Sequence, residues 1–199
     1  MPARRHDVAP VLSFVLSLVS SPVLSLLLLA APASAQLKDE NLLVALPTGF
    51  KVGFQTSKNG MNMQELVPAG ETVENWTEMV TVQIFMGRRD LDPVRFLATI
   101  QQQWLGACKG STPARIASVP VNAYVGATMQ LSCPLNPESG KPETTMFKAV
   151  RGTDSFYSVQ RAVRGTPSAE QTARMTQYLD HVSVCDTRTP AHPCAASFK

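Results

Sequence analysis

The sequence predicts an α+β fold, with one antiparallel sheet covered by two amphipathic helices in the order β-β-β-α-β-β-β-α. Three observations predict it. Apolar and polar residues alternate over a series of short segments, as they do on half-buried strands. In two places the apolar spacing changes to the helical period, once after Asp92 and once after Ser168. Consecutive strand segments are joined by short turn signals, which suit antiparallel neighbours and are too short for parallel crossovers.

The elements follow in order. Leu42 to Leu46 is a short apolar run ending at the turn signal Pro47-Thr48-Gly49. Phe50, Val52 and Phe54 alternate with Lys51, Gly53 and Gln55 as a strand. Asn59-Gly60 then supplies the positive φ angles of a tight hairpin, and Met61 to Val67 returns as the partner. After the turn Pro68-Ala69-Gly70-Glu71, Trp76 to Phe85 alternates again, with Val80, Val82 and Ile84 on one face and Thr81 and Gln83 on the other.

Asp92 can cap a helix and Pro93 suits its first turn. Phe96, Ile100 and Trp104, with Leu97 and Leu105 beside them, form the stripe of a helix over about 93–107, and that stripe is expected against the sheet. Gly106 and Gly110 end it. Tyr124 to Cys133, Thr144 to Arg151 and Phe156 to Val163 are three further strands. A polar loop, Pro134 to Pro142, separates the first two, and the hairpin turn Gly152-Thr153-Asp154 joins the last two. The final helix starts at Thr166-Pro167, with Ser168 and Gln171 as a capping box, and Met175, Leu179 and Val182 stripe its buried face. The tail from Asp186 to Lys199 is proline-punctuated and reads as irregular.

The chain has 199 residues and a formal net charge of +3. A balance so near neutral leaves no dense basic face for nucleic acid. At the N-terminus, Arg4 and Arg5 precede an apolar stretch from Val8 to Ala31 and then Ala33-Ser34-Ala35. These are the parts of a secretory signal peptide, residues 1–35, cut after Ala35. The rival is a retained signal anchor, since the stretch is long enough to span a bilayer. Pro22, Pro32 and several serines interrupt it, and the Ala-x-Ala site follows directly. Residues 36–199 are then a single α+β domain, periplasmic or secreted. No later run reaches membrane length, so no stable membrane insertion is expected after cleavage.

Cys108, Cys133, Cys185 and Cys194 are an even number in an exported chain, the pattern of two disulfides. Three pairings are possible. The pairs 108–133 and 185–194 are favoured, the second because Pro190 and Pro193 bend the short segment between its cysteines, which would tie down the 186–199 tail.

The element order from about residue 42 to 185, in an exported chain of this size, resembles the PsbP/Mog1-like fold. Photosystem extrinsic proteins, a Ran-binding protein and bacterial envelope proteins of the DcrB type share it. Several stretches also look like a group of exported bacterial proteins: Glu74-Asn75-Trp76-Thr77, Cys133-Pro134 with Gly140-Lys141-Pro142-Glu143, Tyr157-Ser158-Val159-Gln160, and Cys185-Asp186-Thr187-Arg188 with His192-Pro193-Cys194. The resemblance implies a sandwich of sheet and helices. It brings no activity, and no binding residue of those proteins maps here.

One constellation could carry chemistry. His181 and Cys185 are four apart, and with His192 and Cys194 they could hold zinc; the rival is a disulfide with two nearby histidines. Nucleophilic Cys–His catalysis would need a free thiol, against the even count. Asp90 and Asp92 read better as helix-start residues than as an acid–base pair. Ser139-Gly140-Lys141 lacks the upstream glycine of a phosphate loop and reads as a hairpin tip. No cofactor loop is evident. Trp76, among Glu71, Glu74 and Glu78, is a candidate partner contact if exposed, or a cover for a sheet end if not. Arg88-Arg89 and the Arg161/Arg164 pair are candidate anion contacts or solvated faces. Two functional readings stand. The first is an exported, non-catalytic envelope module that binds a protein or small ligand without a cofactor. The second is an envelope hydrolase or metal-dependent enzyme using His181 and His192. An apolar groove between helix and sheet favours the first; a cleft holding a histidine with a carboxylate, or a free serine, favours the second.

Overall fold

Phe147 and Lys148 are neighbours on one strand, and they touch different helices. The computed structural model, which describes residues 37–194, puts both in β7 (Glu143–Arg151). The Phe147 ring meets Trp104 of α1 (Pro93–Ala107), with centroids 6.2 Å apart. Lys148 Nζ donates to the carbonyls of Leu179 (2.7 Å) and Val182 (2.9 Å) at the end of α2 (Ala169–His181). Successive strand residues point to opposite faces, so the two helices cover opposite faces of one sheet. This accounts for the unbroken buried run Thr144 to Val150, which has core on both sides. Burial also lowers the Lys148 ammonium pKa from its ordinary value.

The sheet has seven strands. They are β2 (Phe50–Lys58), β3 (Met61–Pro68), β4 (Glu78–Met86), β5 (Ala117–Val121), β6 (Tyr124–Cys133), β7 and β8 (Ser155–Arg164), in the order β2-β3-β4-β8-β7-β6-β5. Every neighbouring pair is antiparallel. The α1 side buries Leu97, Met129, Leu131, Phe147 and Phe156. The α2 side buries Val80, Val82, Val159, Val163, Met175 and Leu179. The expected fold class is the observed one.

Local signals act as their chemistry dictates. Asn59 and Gly60 take positive φ (53° and 75°) in the β2–β3 hairpin. Asp92 Oδ1 accepts from the Arg95 amide and starts α1. Ser168 and Gln171 form the reciprocal capping box of α2.

Three strands lie beyond the expected set. β5 contains Pro120, which an edge strand tolerates because a nitrogen without a hydrogen costs no ladder bond on the outer side of the sheet. The other two, β1 (Glu40–Leu43) and β9 (Ser183–Asp186), form a separate antiparallel pair, with Glu40 opposite Asp186 and Leu43 opposite Ser183. The apolar run expected from Leu42 therefore starts earlier. The tail expected to be irregular from Asp186 is preceded by a strand, and Val182 caps α2 rather than lying within it. The predicted signal segment and residues 195–199 lie outside the described residues.

β1 begins in a polar clasp. The Glu40 carboxylate accepts hydrogen bonds from the Tyr124 hydroxyl (3.0 Å), the Tyr157 hydroxyl (2.8 Å) and the backbone amides of Thr153, Asp154 (3.0 Å) and Ser155 (3.1 Å).

Candidate functional site

The helical stripe expected against the sheet is rotated from its expected centre. Leu97 and the first-turn Pro93 are fully buried, while Phe96, Ile100 and Trp104 are half-buried along one flank. The cause is placement: α1 packs on β6 and β7. Its flank toward β8 and β4 touches them at Phe96, whose ring meets Phe156 (centroids 4.8 Å apart) and Phe85 (5.6 Å), and beside these contacts a groove of about 400 Å³ remains.

The helix wall is Phe96, Thr99, Ile100, Gln103 and Trp104. The sheet wall is Gln83, Phe85, Phe147 and Gln160. Register explains the sheet wall. Gln160 is opposite Phe147 on one side and Thr81 on the other, so all three share the α1 face. Gln83 is two residues from Thr81 and joins them. The strand alternation did mark Thr81 and Gln83 as the second face of their strand. What it could not mark was the helix that half covers them.

The groove's polar groups are neutral and under-bonded. Gln160 Nε2 reaches Gln83 Oε1 at 3.4 Å. Gln83 Nε2 has only the thioether sulfurs of Met61 (3.9 Å) and Met63 (3.7 Å), which are weak acceptors. Ser158, opposite Gln83 on β8, is fully buried with its Oγ unpartnered, as is Trp104 Nε1. None of the lining residues carries an ionisable side chain. Such a surface suits a ligand with an apolar body and neutral hydrogen-bonding groups. It offers no nucleophile–base pair within its walls.

The sequence-predicted residues lie elsewhere. Cys108 is joined to Cys133 and Cys185 to Cys194, with Cα atoms 5.7 Å and 4.9 Å apart. His181 is exposed in the last turn of α2, its Nδ1 2.7 Å from the Gln177 carbonyl. The His192 ring lies on Tyr124, and its Nδ1 faces the Asn122 carbonyl at 2.8 Å. Among the described residues, no three His, Cys, Asp or Glu side chains gather as metal ligands would. The zinc constellation is thus dispersed, since both of its sulfurs are covalently used.

Trp76, a candidate partner contact if exposed, is buried at 8% exposure, with the Arg164 guanidinium 4.2 Å from its ring centroid. Arg161 is also buried. It pairs with Glu78 at 2.9 Å and lies against the rings of Tyr178 and Phe50. The Arg161/Arg164 pair is therefore neither a solvated face nor an open anion surface. Asp90 pairs with Arg88 at the surface at 2.8 Å, and Asp92 caps α1, which accounts for both carboxylates.

Two features lay outside the sequence reading: the groove glutamines and the Glu40 clasp. Nothing local flags Glu40, because its partners are 84 to 117 residues away.

No protein-family model and no curated protein matches the chain. Among solved structures it is similar to the cyanobacterial PsbP of Synechocystis sp. PCC 6803, at 10% identity and TM-score 0.41, over 79% of this chain and 98% of that one. It is similar to the Ran-binding protein Mog1p of Saccharomyces cerevisiae, at 11% identity and TM-score 0.39, over 71% and 84% of the two chains. It is also similar to a protein of Bacteroides thetaiotaomicron, at 10% identity and TM-score 0.43, over 75% of this chain; the match spans about half of that chain, 48%. The chain's own elements give the α+β arrangement, one antiparallel seven-stranded sheet with two covering helices.

Proposed function

We propose that the protein is an exported, non-catalytic binding or accessory module of the cell envelope, periplasmic or secreted, with a mature form that begins at Gln36. The observation that carries this reading is the groove beside α1, with its aromatic walls, neutral carboxamides and no ionisable lining residue. Two disulfides support an oxidising compartment. Among the described residues no helix is long and apolar enough to cross a membrane. The hydrolase or metal-enzyme alternative would use His181 and His192. It is disfavoured because one is bonded along an exposed helix end and the other is stacked on a tyrosine.

A photo-cross-linking residue tests the reading in the native envelope. At Thr99, on the groove wall, it is expected to capture one discrete ligand or partner. At Ala173, on the exposed face of α2, it is expected to capture none. Filling the groove with Gln160→Trp should abolish the Thr99 adduct. Equal capture at both positions, or an adduct that survives Gln160→Trp, overturns the reading. N-terminal sequencing of the exported product should return Gln36 first.

A further inference from the structure

We propose that the turn between β7 and β8, together with Tyr124 and Tyr157, is a carboxylate-binding site that Glu40 fills in cis, and that it takes a free mono-anionic carboxylate when β1 is lifted away. Three backbone amides and two phenols, five donors, converge on the Glu40 oxygens, which fully occupies the roughly four lone-pair positions of one carboxylate and leaves no room for a second. Gly152 belongs to the same cradle, because a Cβ there would run into the Glu40 carboxylate.

The donors are also anchored by contacts other than Glu40, Tyr157 standing on β8 between Ile84 and Val150. Tyr157 is buried at 4% exposure, and Tyr124 is clamped by the His192 ring. The amides belong to a tight hairpin that is closed by the Gly152 amide donating to the Ser155 carbonyl at 2.9 Å. The ligand strand, by contrast, is a four-residue edge with a four-residue partner, a ladder too short to be stable by itself. On this reading the occupied site holds the strand, more than the ladder does.

The surrounding charge selects the ligand class. All five donors are neutral. Asp154 and Asp186 stand beside the site, with Arg188 bridging them at 2.8 Å and 2.6 Å, so these three neighbours sum to about −1. Dipoles suffice for a singly charged carboxylate. A phosphate or sulfate dianion would add repulsion with no free cation to offset it, since Arg188 is already paired with both aspartates.

The test is thermal unfolding of the mature chain and its Glu40→Ala variant, titrated with sodium formate, sodium chloride and sodium sulfate at matched ionic strength. The wild-type response to each salt serves as the baseline. The variant is expected to melt below wild type, and formate should raise its melting temperature along a saturating curve that chloride does not reproduce. Glu40→Gln, whose carboxamide refills the cradle, should not respond to formate, and adding Tyr157→Phe to Glu40→Ala should weaken the response. If Glu40→Ala does not fold unaided, its refolding yield in formate against chloride reads the same quantity. Formate no better than chloride overturns the proposal. A response equally large with sulfate overturns the ligand class, and one that survives Tyr157→Phe undiminished overturns the site.

Discussion

The His192 imidazole lies face to face with the Tyr124 phenol, with ring centroids 3.7 Å apart and planes 15° apart. The stack braces the tail against the β5–β6 turn, where Asn122 and Ala123 both take positive φ (47° and 65°). Asn122 Nδ2 donates to the carbonyls of Val184 (2.9 Å) and Pro193 (3.1 Å), each the residue preceding one of the two disulfide cysteines. The residues that suggested a metal site form a structural brace.

Replacing Cys185 and Cys194 together with serine should therefore destabilise the protein. In the chain-entropy account, closing a loop of this separation, 9 residues, is worth roughly 2.7 kcal/mol. Denaturant titration reads the loss, and non-reducing peptide mapping of the wild type should find the Cys185–Cys194 and Cys108–Cys133 pairs. Two free thiols with about one zinc per chain would restore the metal reading.

The orientation of α1 makes a second prediction. Leu97→Ala should cost about 2–5 kcal/mol, as a fully buried leucine does. Trp104→Ala should cost about 2 kcal/mol, below the range for a fully enclosed ring, because one side lines the groove. Trp104→Phe should be close to neutral, since it also removes a buried N–H that has no partner. A larger cost at Trp104 than at Leu97 would put the wrong side of the helix on the sheet.

The tyrosines set an alkaline limit. Burial, followed by the Glu40 carboxylate, pushes the Tyr124 phenol up to about 12, and burial pushes Tyr178 up to about 12 as well. Tyr157 is raised further by the same burial and the same Glu40 contact. Each phenol holds its proton more tightly folded than unfolded, where the ordinary value is 10.0. The corresponding stability is complete below pH 10 and is lost as pH climbs toward 12. Tyrosinate absorbance should therefore stay low through pH 10 in the folded protein and rise together with the loss of circular dichroism. A separate tyrosinate step near pH 10 in the folded state would contradict the placement of these rings.

Gly152 and Glu40 should be energetically coupled. Gly152→Ala alone should cost about 1–3 kcal/mol, because the methyl displaces a carboxylate from charge-assisted hydrogen bonds. In a Glu40→Ala background the same substitution should cost at least about 1 kcal/mol less. Costs that add to within about 0.5 kcal/mol would show that the two positions act independently.

Much of the fold was legible because its signals are local. A capping side chain, a positive-φ dipeptide and an alternating strand act within a few residues, which is why the β2–β3 hairpin, the starts of both helices and the strands β4, β6, β7 and β8 stand close to where the sequence puts them. The unbroken burial of β7 is the exception, because one sequence cannot show which faces will be covered.

The candidate sites were less legible. Cysteine parity and the prolines before Cys194 pointed to the right pair. Of the two arginines that looked like surface charges, Arg161 is buried because Tyr178 and Glu78 arrive from other elements, and Arg164 is half-buried over Trp76. The groove exists because α1 settles over β6 and β7 and leaves Gln83 and Gln160 uncovered.

The sequence by itself determined the class of the fold, the helix and hairpin boundaries and the even cysteine count, since each depends on periodicity or on chemistry between near neighbours. Only the tertiary structure decided that the helices take opposite faces, that β1 pairs with β9, and that Glu40 fills a turn more than a hundred residues away. Those outcomes depend on which buried surfaces meet and which distant donors converge. No stretch of chain carries that information until the sheet has formed.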